Sequence, residues 1–172
     1  MKEVKELDNA LDHAETDPVT RLLNTRALID GITRRLSDPE KKYALFLIDL
    51  DNFKTISDVF GHAIGDRILR SIADRIVEAA SWNDLAGRVG DDGFVLFAGL
   101  DSDEGNADII AQKICDAISS VKIRAEFGES DVTGSVGIAL APCDGTDYDA
   151  LVAKAGQSIS EAGKNGKNPY VF

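Results

Sequence analysis

Cysteine, positive charge and long apolar runs are the things this chain of 172 residues has little of. Its two cysteines, Cys115 and Cys143, fall at no metal-ligand spacing, which argues against a disulfide scaffold or a cysteine-bound metal and leaves two reduced thiols. The two histidines include His62, which has no neighbouring histidine or cysteine to suggest a zinc site and reads as a structural turn residue. Nineteen basic against 30 acidic residues give a net charge of -11, and no basic cluster interrupts the excess, so a phosphate backbone would be repelled and nucleic acid is not an expected partner. No apolar run approaches the ~20 residues of a membrane span, and the opening MKEVKELDNA lacks the apolar core of a signal peptide, so a cytoplasmic location with no membrane in this segment is expected. There is no internal repeat and no low-complexity tract.

What is present is enough for one folded domain: 44% hydrophobic residues in a chain of this length can bury a sizeable core. Val4, Leu7, Leu11 and Ala14 recur at three- and four-residue steps, which predicts a short connector helix over residues 1–16. Asp17-Pro18 breaks that pattern, because proline cannot continue a helix and restricts the residue before it. The main domain is therefore expected over 17–172. A helix is predicted from about Asn24, with Leu28, Ile32 and Leu36 on one face, up to Asp38-Pro39.

Tyr43 to Asp51, YALFLIDLD, is apolar almost to its end and suits a strand buried on both faces with acids at its C-terminal edge. Helices are predicted at 52–59 and 64–80, the second carrying Ile64, Ile68, Ile72 and Ile76. Leu85 to Val89 and Phe94 to Ala98 read as a hairpin around GDDG, with the Asp-Gly step supplying the positive φ that such turns need. A helix at 107–120, a second hairpin pairing 121–127 with 132–141 around GES, a helix at 148–162 and a final strand at 169–172 complete the pattern. Helices alternating with strands and hairpins predict an α/β sandwich: a mixed central sheet with helices on both faces, of nucleotide-cyclase or polymerase-palm character.

If the strand ending in Asp49-Leu50-Asp51 lies beside the GDDG hairpin, the carboxylates of Asp49 and Asp92 converge at one edge of the sheet. Hard oxygen ligands so placed suit a divalent cation and phosphoryl transfer. Read alone, a D-x-D and a D-D tip are equally what solvated strand ends and turns contain. In the same way, Lys54 taken alone reads as a solvated helix lysine, and Asp66 as a helix-cap residue.

Five motifs in order carry a resemblance. DPVTRLLNTRAL (Asp17 to Leu28), ALFLIDLDNFKTISDVFGHAIGD (Ala44 to Asp66), RVGDDGF (Arg88 to Phe94), VTGSVGIAL (Val132 to Leu140) and AGQSISEAGKNGKN (Ala155 to Asn168) resemble the successive signatures of the GGDEF family, the diguanylate cyclases of bacterial signalling. The resemblance implies a domain that binds GTP with Mg²⁺ or Mn²⁺ and, in active members, pairs with a second copy to make cyclic di-GMP. It assigns Asp49, the Leu50 carbonyl and Asp92 to the metal, Lys54 and Lys167 to phosphate, and Asp66 to guanine.

The departures fall on the same site. Gly90, Asp91, Asp92, Gly93 and Phe94 stand for G-G-D-E-F, so Asp91 replaces a glycine and Gly93 a glutamate. Two unit charges ~4 Å apart at an effective dielectric of ~20 repel by about 4 kcal/mol, so Asp91 opposes a triphosphate. Ser57 replaces a guanine-reading asparagine, which weakens base discrimination. Gly163 replaces a phosphate-binding lysine. Ser81 replaces the arginine of the product-inhibition motif, leaving only Asp84. The leading expectation is a non-catalytic regulatory or partner-binding module, with a sensor domain or an EAL-type phosphodiesterase in a longer chain. The alternative is a cyclase that tolerates its altered loop. Asp17 and Arg88 are expected to form a salt bridge between the N-terminal turn and the hairpin.

Overall fold

A computed structural model describes residues 14–100, 105–125, 128–165 and 170–172. Most of the expected connector, residues 1–13, lies outside them, as does Lys167. The described elements run α1 (Thr25–Leu36), β1 (Lys42–Leu50), α2 (Phe53–Phe60), α3 (His62–Ala79), β2 (Leu85–Val89), β3 (Gly93–Leu100), α4 (Gly105–Ser119), β4 (Lys122–Ala125), β5 (Gly128–Asp131), β6 (Gly134–Ala141), α5 (Tyr148–Asn165) and β7 (Tyr170–Val171).

Five strands form one sheet in the order β2-β3-β1-β6-β7. β1 is central, antiparallel to both β3 and β6, while β7 joins β6 in parallel, so the sheet is mixed. Alternation along β1 sends Ala44, Phe46, Ile48 and Leu50 into a core with α3 and α4, where Ile68, Ile72, Ile76 and Ile114 pack. Tyr43 and Leu45 face the other way, against Leu28 and Ile32 of α1 and Leu151 and Ala155 of α5. The helices therefore cover both faces, as the continuous apolar run of β1 predicts. Phe46, Phe94 and Phe97 are fully buried, each worth about 1.5–3 kcal/mol against exposure.

Local signals set the helix ends. Asn24 caps α1 by accepting from the Ala27 amide at 2.9 Å, and Arg34 and Arg35 in its last turn complement the helix dipole. Gly61 closes α2 through its amide to the Ser57 carbonyl at 2.9 Å and opens α3 directly. Cys115 is buried on α4, and burial, together with the Asp116 charge, pushes its thiol up to about 11; no disulfide joins it to the exposed Cys143.

Two expectations are corrected. The second hairpin does not pair 121–127 with 132–141. Instead β4 pairs with β5 in a separate ribbon, with Lys122 opposite Asp131 and Ala125 opposite Gly128, so GES lies in a strand. β6 is drawn into the main sheet because its small residues admit α5 closely: a Cβ at Gly137 would collide with the Ala155 carbonyl oxygen. In the first hairpin the left-handed residue is Gly90, with φ of 66°, whereas Gly93 opens β3 with no positive φ. The turn places its freedom before the two aspartates.

Candidate nucleotide site at the sheet edge

The acids meet where β1 ends. Asp49 lies opposite Gly93 on one side and Ser135 on the other, and the Leu50 amide donates to the Asp92 carbonyl at 3.3 Å. The backbone thus brings Asp49, Leu50 and Asp92 together, although the two aspartates are far apart in sequence. Desolvation raises the pKa of Asp49, and the charges of Asp92 and then Asp51 raise it further. A half-buried carboxylate with acidic neighbours offers hard oxygen donors whose charge a divalent cation would relieve. Among the described residues no group of three or more metal-ligating side chains is assembled.

A cavity of about 410 Å³ opens beside these acids. Lys54 and Ser57 of α2 and Asp66 of α3 line one side, and Arg88, Asp91 and Asp92 of the hairpin line the other. Ser57 is buried, and its Oγ shares a hydrogen bond of 3.2 Å with His62 Nδ1 across Gly61. The hydroxyl at this position is therefore already engaged, and His62 holds the structural place expected of it. Asp66 stands 3.8 Å from Arg70, both half-exposed, so its carboxylate has a partner within the helix. Lys54 forms no ion pair among the described residues.

Gly93 leaves no space for a side chain. A Cβ built there would stand 2.7 Å from the Val89 carbonyl oxygen and 3.2 Å from Val89 Cγ2. Phe94 beside it is fully buried and anchors β3.

Asp17 and Arg88 form the expected salt bridge, with Nη1 donating to both carboxylate oxygens at 3.2 Å and both side chains largely buried. Asp17 also accepts from the Thr20 amide and Oγ1, each at 2.8 Å. Desolvation works against its ionised form, but the bonds from Thr20 and then Arg88 outweigh it and hold the carboxyl below 3.8. The bond that sequence gave no hint of is the one from Arg88 Nη2 to the Asp91 carbonyl, at 2.8 Å, because a main-chain acceptor has no residue signature.

Ser81 and Asp84 lie at the opposite end of the sheet, beside a cavity of about 770 Å³ that Arg35, Lys42 and Trp82 also line. There the Asp84 carboxylate accepts from the Ser81 amide at 2.7 Å and the Gly99 amide at 3.3 Å. It holds its own loop.

The family model described as "Diguanylate cyclase, GGDEF domain" matches residues 14–169. This chain belongs to the GGDEF family. The GGDEF chain is 32% identical over 170 residues to the response regulator PleD of Caulobacter vibrioides, covering 96% of itself and 37% of PleD. It is 29% identical over 160 residues to the cyclic di-GMP phosphodiesterase PdeR of Escherichia coli, covering 91% of itself and 24% of PdeR. Among solved structures, the isolated GGDEF domain of TpbB (YfiN) from Pseudomonas aeruginosa superposes with a TM-score of 0.81 at 30% identity, covering 91% of this chain and 92% of that one. The chain thus spans about a quarter to a little over a third of the length of these two curated relatives. A GGDEF domain is a component of cyclic di-GMP signalling. No helix among the described residues is long and apolar enough to cross a membrane.

Proposed function

We propose that this GGDEF domain is non-catalytic and serves cyclic di-GMP signalling as a regulatory or partner-binding module. The observation that carries the reading is the hairpin tip. Gly93 sits against the Val89 carbonyl where the family pattern has glutamate, and Asp91 lines the cavity where that pattern has a glycine. One catalytic-site carboxylate is gone, and another charge stands on the phosphate side. Ser57, engaged by His62, offers less to guanine than an amide would.

A guanine nucleotide entering the cavity would meet Lys54, Ser57 and Asp66, with Lys167 and an Mg²⁺ or Mn²⁺ ion completing its phosphate contacts. Asp49, Asp92 and the Leu50 carbonyl would hold that ion. Bound there, a divalent cation neutralises phosphate charge and polarises the phosphorus centre. The resemblance of the chain to parts of longer proteins supports a sensor domain before it or an EAL-type phosphodiesterase after it, and a cytoplasmic setting. Homodimers belong to the same reading. At the Ser81 end, the product-inhibition site is read as lost, because the arginine is missing and Asp84 is occupied by its own loop.

A second reading, an active diguanylate cyclase, is favoured by one observation: the strand end and the hairpin tip keep Asp92 close enough to Asp49 for its charge to help raise the Asp49 pKa. The test is incubation of the pure protein with GTP and Mg²⁺ or Mn²⁺, followed by chromatography. No cyclic di-GMP above an Asp49→Asn control is expected. Product above that control would overturn the non-catalytic reading and establish the second.

A further inference from the structure

Two segments far apart in sequence share one guanidinium. Arg88 Nη1 reaches Asp17 in the N-terminal turn, and Nη2 reaches the Asp91 carbonyl at the hairpin tip. The side chain is 14% exposed and its Nε is buried with no hydrogen-bond partner, so its terminal nitrogens are committed to these two segments. The planar fork makes such double recognition possible; a lysine ammonium is a single point charge and does not reproduce it.

The main chain reinforces the link. The Leu23 amide donates to the Ala86 carbonyl at 3.1 Å, and the Arg88 amide donates to the Leu23 carbonyl at 2.9 Å, making Leu23 a parallel rung on the edge of β2. Thr25 Oγ1 donates to the Arg88 carbonyl at 3.2 Å. On the upstream side, the Asn24 amide donates to the Glu15 carbonyl and Asn24 Nδ2 to the Ala14 carbonyl, both at 2.8 Å. Residues 14–17 are therefore tied to the segment that holds Arg88. By contrast, the tip has few ties of its own: Gly90 and Asp91 are exposed, and the Leu50 to Asp92 bond is long at 3.3 Å. A tip with two exposed residues and so few bonds belongs to the low-stability part of a fold.

We infer that Arg88 is a positioning residue through which the N-terminal turn sets the conformation of the GDDG tip, by the path Asp17, Arg88 and the Asp91 carbonyl. This rests on the regulatory reading above and gives it a route. A displacement of the chain at residues 14–17 pulls Asp17 from the guanidinium, frees Nη2 from Asp91, and changes how Asp91 and Asp92 are presented to the cavity. The tip is then a readout of what happens upstream, whether or not any nucleotide is turned over.

The test uses the full chain labelled with ¹⁵N, in Asp17→Asn, Arg88→Lys and the charge-swapped double variant Asp17→Arg with Arg88→Asp. Backbone order parameters at Asp91 and Asp92 are expected to fall from about 0.85 to below about 0.6 in Asp17→Asn and Arg88→Lys, while those at Phe46 and Ile138 stay rigid. The double variant restores opposite charges at 17 and 88, so it should regain melting temperature without regaining tip order. A tip as ordered in Asp17→Asn as in the wild type overturns the coupling, and so does a double variant that restores both. Should Asp17→Asn not fold, Arg88→Lys, which keeps the charge, carries the same readout, and an ordered tip there is equally fatal. GTP turnover by the wild type would defeat the regulatory reading and leave the coupling standing. An undisturbed tip would do the reverse.

Discussion

Replacing Asp91 by glycine, alone and together with Gly93→Glu, separates the two departures of the hairpin tip. Asp91 does not adopt a left-handed backbone, so glycine there relieves no strain and costs about 0.5–1 kcal/mol through the freedom it adds to the unfolded chain. The gain is electrostatic. If half of the ~4 kcal/mol repulsion at ~4 Å survives screening, removing the carboxylate is worth about 2 kcal/mol, or roughly thirtyfold in GTP affinity. Gly93→Glu acts differently, because its Cβ would stand 2.7 Å from the Val89 carbonyl oxygen and a backbone atom yields little. Overpacking of that kind costs about 1–3 kcal/mol, which lowers the melting temperature of a domain this size by roughly 2–12 °C. Calorimetric melting without nucleotide reads the second effect, and titration with GTP and Mg²⁺ reads the first. The reasoning is refuted if Gly93→Glu melts within about 1 °C of the wild type. It is refuted equally if Asp91→Gly binds GTP no better, which would move the defect to Ser57 and Gly163.

Arg21 carries a φ of 65° in the N-terminal turn, a conformation that costs a side chain about 1–2 kcal/mol; Arg21→Gly should therefore raise stability by a net ~0.5–1 kcal/mol in urea titration, and a loss would contradict the assigned backbone. Asp17 has a carboxyl held below 3.8 in the folded state, so its contribution is complete above the ordinary carboxylate range and is lost as pH falls through the lowered value. Wild type and Asp17→Asn should accordingly converge in stability in strong acid and diverge at neutral pH. Asp49 has the opposite sign: burial and its acidic neighbours raise its pKa, so stability declines as pH rises from 3.8 through the raised value, and Asp49→Asn should melt higher than wild type at pH 7. Trp82 is the sole tryptophan and is 96% exposed, so its fluorescence should be solvent-like and fully quenched by iodide, and Trp82→Ala should change stability by less than about 0.5 kcal/mol. A blue-shifted, protected emission would show that the loop before β2 packs onto another surface.

Much of the framework was legible because the signals were strong and local. The apolar run of β1, the four-residue isoleucine spacing of α3 and the Asn24 start of α1 each predict an element that is present. The Asp17 to Arg88 pair was also readable, since the N-terminal turn and the hairpin carry opposite charges that could pair. The second hairpin was misread because β5, GESD, is polar throughout and reads as a turn, so the alternating run of β6 looked like the partner of β4 although it crosses to β1. The turn glycine was misassigned for a similar reason: Gly90 and Gly93 both flank the aspartates, and only the backbone tells them apart. At the candidate site, side-chain roles could be placed by position, but contacts to carbonyls could not. Arg35 and Lys42 likewise gather near Trp82 only because α1 ends where β1 begins, bringing together cations that no run in the sequence joins.

A strand that is apolar on both faces has a hidden weakness: sliding it by one residue still buries oily groups on either side, so composition alone does not fix its alignment. In this sheet Gly137 supplies the missing instruction. It lies opposite Leu47, and only a residue without a Cβ passes beneath the Ala155 carbonyl, so β6 has one permitted setting under α5 and β1 inherits it. Asp49 is two residues further along the same strand. Its meeting with Asp92 at the sheet edge is thus decided by a glycine on the far side of the strand, which works as the notch of a key does, by admitting a single alignment.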